Sequence, residues 1–278
     1  MKRLLIQFIL FASLASGVRA YDFVLGQGTG LGNAVLLSHS SPSMLLSAPT
    51  GGLYQNEWRV ETGFNRQFDM SEFDQVFVAG SGRWRDFSSA IGFSQFGQGD
   101  LYSERIAKLA LGWQEDMVSV GISGSILMAS FGGGYGNLNA ASFGMGTAIR
   151  KHPYYAAVSA DNLTSPRLER GSPRLEPVYT TYVEYVSSKS LSVLGRMTFQ
   201  NREKPQFAVG QRIVLGKGGS LLWGFSTEPI QFGGGVDVSV KESTISYTVS
   251  YHPVLGLSHT VAVSYGSKIP KAGGDEFK

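Results

Sequence analysis

Between Thr244 and Gly266 the chain alternates two chemistries with a period of two residues. Ile245, Tyr247, Val249 and Tyr251 occupy one set of positions, and Thr244, Ser246, Thr248 and Ser250 the other. After a short break the alternation resumes, with His259, Val261, Val263 and Tyr265 set against Thr260, Ala262 and Ser264. Successive side chains of a strand point to opposite faces of the sheet. The segment therefore reads as two strands with one apolar face and one face of hydroxyls and small groups. A soluble sheet would bury the apolar face in a core, whereas a closed barrel would turn it to lipid.

The same period recurs along the chain in segments of about ten residues. They cover 57–67, 75–84, 87–96, 104–113, 117–130, 142–150, 154–162, 178–186, 191–200, 206–215, 220–226 and 230–241, followed by the final pair. That makes about fourteen strands, an even number of the kind found in outer-membrane barrels. Full charges recur on the polar side: Arg59, Glu61, Lys108, Glu184, Arg196, Arg212 and Asp237. In a barrel these pair across a narrow lumen. The opposite side of the same strands carries Trp58, Phe64, Leu109, Trp113, Val183, Tyr185, Val193, Phe199, Val209, Ile213, Phe232 and Val238. An Arg or Lys on the lipid side costs about 2–4 kcal/mol at mid-bilayer. Strand centres there carry almost no charge, and Gln95 and Gln211 are the polar exceptions.

The connections separate barrel from sandwich. With both termini in the periplasm, the inward connections are tight: "RWRD", "QED", "RKHP", "SSKS", "GKGG" and "KES". The outward ones include the two longest, 131–140 and 162–177. Short turns on one rim and longer loops on the other is the asymmetry of an outer-membrane barrel. A sandwich has no reason to sort loops by parity. Tyr154, Tyr155, Tyr179, Tyr185, Tyr247, Tyr251 and Tyr265 gather near strand ends, where an interfacial aromatic girdle sits. The expected fold is all-β: a transmembrane, antiparallel, up-and-down barrel over 57–268 with a short tail at 269–278, in the bacterial outer membrane.

Residues 1–20 read as a signal peptide. Lys2 and Arg3 begin it, an apolar core of about ten residues follows, and Val18 and Ala20 stand where signal peptidase reads, with cleavage after Ala20. The core is well short of the ~20 residues a spanning helix needs. The chain has no Cys, so an exported protein of this kind has neither a lipid anchor nor disulfides. Lys2, Arg3 and Arg19 lie in the leader, which leaves a mature chain near neutrality despite the net charge of +3 and gives no sign of a nucleic-acid partner.

Residues 21–56 lack sustained alternation. The glycine run 26–32 is not a phosphate loop, because no strand precedes it and no Lys-Ser/Thr follows. Leu36, Leu37, Met44, Leu45 and Leu46 are too apolar for a solvated leader and suit a plug with one or two helical turns. The candidate plug residues are Gly30, Gly32, Asn33, Pro42, Pro49 and Gly51.

At this segment the sequence resembles the FadL-type barrels and their PorV/PorQ relatives of type IX secretion. Gly30-Leu31-Gly32-Asn33-Ala34 matches the glycine-rich lead of their N-terminal hatch. Ser41-Pro42-Ser43 stands where Asp-Pro-Ser is usual, and Ala48-Pro49-Thr50-Gly51 where Asn-Pro-Ala-Gly is usual. The closing "SYHPVLGLSHTVAVSYG" resembles the last PorV-like hairpin. The resemblance implies a fourteen-stranded barrel with a hatch and a non-enzymatic role, foremost as a secretion or surface-assembly component. Such a component docks a client or partner subunit through outward loops, where Tyr135, Asn137, Arg167, Arg170 and Arg174 are the candidate contacts. The alternative it implies is passage of a hydrophobic small molecule, and a general porin is a third reading. Outer-membrane lipid and lipopolysaccharide are expected partners in every case. No cofactor is expected. His39, His152, His252 and His259 fall in no recognisable catalytic or metal-ligating spacing.

Overall fold

The computed structural model describes residues 26–39, 41–49, 58–98, 102–132, 136–167, 174–188, 190–201, 203–216 and 218–267. The leader, the tail beyond 267, and Gly51, Tyr135 and Arg170 lie outside them.

Fourteen strands form one closed barrel. They are β1 Trp58–Arg66, β2 Asp74–Trp84, β3 Phe87–Gln98, β4 Tyr102–Glu115, β5 Val118–Phe131, β6 Gly136–Lys151 and β7 Tyr154–Asp161. The second half comprises β8 Val178–Ser188, β9 Leu191–Gln200, β10 Gln206–Val214, β11 Gly219–Thr227, β12 Ile230–Val240, β13 Ser243–His252 and β14 Gly256–Gly266. Each strand pairs antiparallel with its chain neighbours, and β1 closes on β14 through pairs such as Thr62 with Val263. Closure leaves no sheet edge, so every strand can satisfy its backbone without water.

Alternation puts the two chemistries on opposite sides of the wall. Ile245, Tyr247, Val261 and Val263 are exposed on the outside, while Thr244, Ser246, Thr248 and Thr260 are buried on the inside. Trp58 and Tyr265 meet edge-to-face, and Tyr154 packs on Tyr185, both pairs at the periplasmic end. Tyr155 departs from the expected girdle. It points inward and packs against the buried core, because it directly opposes the inward Glu184 in register. The polar outward residues find partners on the same face. The Trp223 indole donates to Gln211 Oε1 at 2.5 Å, and Arg105 donates to Gln95 Oε1 at 3.1 Å.

The periplasmic turns are tight, with left-handed backbone at Arg85, Asp116 and Lys241. The outward connection expected over 131–140 is shorter than its composition suggests. β5 runs to Phe131 and β6 starts at Gly136, with Ser130 paired to Asn137 and Ala129 to Leu138. Asn137 is therefore a strand residue and not a loop residue. Ladder hydrogen bonds outweigh the glycine content, and pairing runs on to Phe131 and Gly136.

Among its described residues the N-terminal segment contributes two short helices, α1 Gln27–Gly30 and α2 Pro42–Ser47. Ser41 caps α2, its side chain accepting from the Met44 N–H at 3.2 Å, and Pro42 follows in the first turn. A serine there does the capping work that an aspartate would do.

Candidate functional site

Register stacks the inward residues of β1–β6 in rows. Nearest the outer mouth the row reads Asn65, Gln75, Phe96, Glu104 and Ala129. Below it come Gly63, Phe77, Ser94, Ile106, Leu127 and Ala140, then Glu61, Ala79, Gly92, Lys108, Ser125 and Ser142. Over these six strands the mouth row is mixed, with Asn65, Gln75 and Glu104 beside Phe96 and Ala129, the row below it is largely apolar, and charges stand at mid-height.

The charged residues of the wall reach the N-terminal segment from several sides. Glu184 accepts from the Ser38 N–H at 2.7 Å and from its hydroxyl at 2.5 Å. Glu61 accepts from the Ser43 hydroxyl at 2.8 Å, and Asp237 from the Gln27 amide at 2.8 Å. Arg196 donates to the Asn33 carbonyl at 2.7 Å. Arg212 lies 2.8 Å from His39 Nε2. Arginine only donates, so His39 Nε2 accepts and the ring proton sits on Nδ1, which is 3.4 Å from the Ser38 hydroxyl. Burial first, then the Arg212 and Arg59 cations, hold His39 well below its usual range, so it is neutral here. A continuous relay runs Arg212, His39, Ser38, Glu184.

Lys108 and Arg59 also bond to residues of the wall. Lys108 pairs with Asp161 at 2.7 Å, and Arg59 donates to Ser264 at 2.7 Å and Thr244 at 3.2 Å. Among the expected segment residues, Gly30 and Gly32 sit where a Cβ would strike Thr248 and the Phe225 backbone. Asn33 takes a left-handed φ of 68°. Pro49 presses its carbonyl against Gly121, where a Cβ would come within 2.2 Å. Sequence reasoning missed Gln27, Ser38, His39 and Ser43. The available signal was the polar run over 38–43 between two leucine-rich stretches, and Gln27 among glycines.

Alkyl groups complete the packing. Leu31, Val35, Leu36, Leu37 and Met44 join Ala148, Tyr182, Leu194 and Leu222 in one buried cluster. Leu45 and Leu46 join Ala90, Ile106 and Leu127 in another, with Leu175 from the 162–177 connection packed on it. Two cavities between segment and wall hold about 30 and 40 Å³.

At the outer mouth the β1–β2 connection folds inward. Phe73 stacks on Phe96 at 5.9 Å, and Phe68 sits edge-on to Phe73 and His252. His252 accepts from the Val254 and Leu255 N–H groups, and His259 faces outward beside Tyr247 and Asp69. Of the expected loop contacts, Arg167 and Arg174 are exposed and bridge each other antiparallel, while Asn137 lies apart on β6.

The Ralstonia pickettii toluene transporter TbuX superposes with a TM-score of 0.66 at 10% identity, covering 88% of this chain and 98% of its own. The TodX monoaromatic hydrocarbon channel, as a deltaS2 mutant, superposes at 0.65 with 8% identity, covering 90% and 99%. The Acinetobacter baumannii outer membrane protein Omp33 follows at 0.52 with 6% identity, covering 77% and 99%. This chain has the fold of an outer-membrane β-barrel. The closed wall and its apolar exterior match a place in the bacterial outer membrane. No family model and no curated protein matches the sequence.

Proposed function

We propose that this barrel passes a small hydrophobic molecule across the outer membrane, with the N-terminal segment as a plug that must shift for passage. The observation that carries the reading is the pair of alkyl clusters that pack the N-terminal segment against the inner wall. The two cavities between segment and wall, of about 30 and 40 Å³, each have room for little more than water. An apolar solute can exchange alkyl contacts for alkyl contacts at little cost, whereas an ion cannot. The fold likeness to toluene and monoaromatic-hydrocarbon transporters supports this reading over that of a secretion component. Arg167 and Arg174 at the outer rim suit lipopolysaccharide phosphate.

The test is uptake of radiolabelled toluene by cells lacking other hydrocarbon channels. Expression should raise the initial rate, and purified protein in planar bilayers should show little steady conductance. Unchanged uptake, together with stoichiometric recovery of an exported client on the purified barrel, would replace this reading with the secretion role.

A further inference from the structure

We propose that the outer face of the barrel holds one zwitterionic aminophospholipid of the inner leaflet, in a hollow over β2–β7. The inward row near the periplasmic end reads Ser88, Gly112, Gly121, Gly146 and Ser159. These small residues let the wall sink toward the N-terminal segment until the Gly121 backbone rests against the Pro49 carbonyl. On the far side of the same wall lies a concavity of about 970 Å³. Its floor is Leu111, Val120, Ile122, Met145 and Val158, all exposed and all outward. Trp84 and Trp113 stand at its periplasmic edge, the level at which indoles mark the headgroup region.

The turns below the hollow carry both signs: Arg83, Arg85 and Asp86 at the β2–β3 turn, Glu115 and Asp116 at the β4–β5 turn, and Lys151 at the β6–β7 turn, all exposed. Arg83 donates to the Arg85 carbonyl at 2.7 Å, and the Arg85 guanidinium lies 5.2 Å over the Trp84 ring. The adjacent β4–β5 turn presents Glu115 and Asp116, both exposed. Neighbouring turns on this rim are two strand spacings apart, about 10 Å. A phosphate fits beside the arginines, an ammonium beside the carboxylates, and acyl chains along the floor. A purely anionic headgroup would meet Glu115 and Asp116 unfavourably.

The proposal is independent of what the barrel carries. Native mass spectrometry of the detergent-purified protein, supplied with equal phosphatidylethanolamine, phosphatidylglycerol and phosphatidylcholine, tests it. One phosphatidylethanolamine should survive activation that strips the other two. Arg85→Glu should lower its retention about tenfold, the equivalent of one charge-assisted contact. Val120→Trp, which fills the hollow from the lipid side, should lower it similarly, with Val158→Trp as the second filling variant should the first not fold. Equal retention of the three lipids, retention unchanged by filling, or a dimer that covers the hollow would overturn the proposal.

Discussion

Glu184 is 2% exposed, yet it carries two hydrogen bonds to one serine of the N-terminal segment. Hydrogen bonds to a charged group contribute about 1.5–3 kcal/mol each. Glu184→Ala should therefore loosen the segment while leaving the wall closed. The chain has no Cys, so Val35→Cys gives a clean reporter. Its maleimide labelling should quicken by roughly tenfold or more in the Glu184→Ala background and by less in Glu184→Gln, which keeps an acceptor. Equal labelling in all backgrounds would show that the contact does not hold the segment. Glycine acts by a different cause. A Cβ at Gly224 would fall 2.1 Å from the Leu31 carbonyl carbon, whereas one at Gly124 would meet nothing within 4 Å. Gly224→Ala should cost about 1–3 kcal/mol of overpacking, and Gly124→Ala next to nothing, read from urea midpoints of refolded protein.

The N-terminal segment, taken as an element, is held by groups whose charge depends on pH. Around His39 stand Arg212 and Arg59, with Glu61 and Asp237 near the same cavity wall. Docked, His39 stays neutral; released, it takes a proton near pH 6.5. The released state then binds more protons, so docking weakens as pH falls below about 6.5 and levels off only beneath the lowered docked value. Val35→Cys labelling should accelerate over that window. His39→Gln should flatten the part of the response that begins near 6.5, and an unaltered profile would remove His39 from the account. The β5–β6 hairpin teaches a different lesson. Its glycines and asparagines read as a loop, but a ladder already formed to Ile126–Ala141 extends to Phe131–Gly136 because each added pair satisfies two backbone groups.

At the scale of the whole molecule, lipid outside and packed core inside make opposite demands on the two faces. Val261 lies mid-strand on β14 and faces outward, while Val240 ends β12 at the periplasmic rim. Val261→Arg should cost about 2–4 kcal/mol and Val240→Arg about 0–1, measured by reversible unfolding from lipid bilayers. Equal costs would mean that the apolar face does not meet hydrocarbon. The alternation alone determined the strands, their number and their two faces. Trp58, Val60 and Phe64 point out and Arg59, Glu61 and Asn65 point in because a strand has a period of two. Short periplasmic turns followed from the same reading. Tertiary structure decided what the inward charges touch. Ser38 meets Glu184 across 146 residues of chain, and Gln27 meets Asp237 across 210. Such pairs exist only once the wall has closed, since register, shear and the depth of the segment set which side chains face one another, and none of these is encoded in a local period.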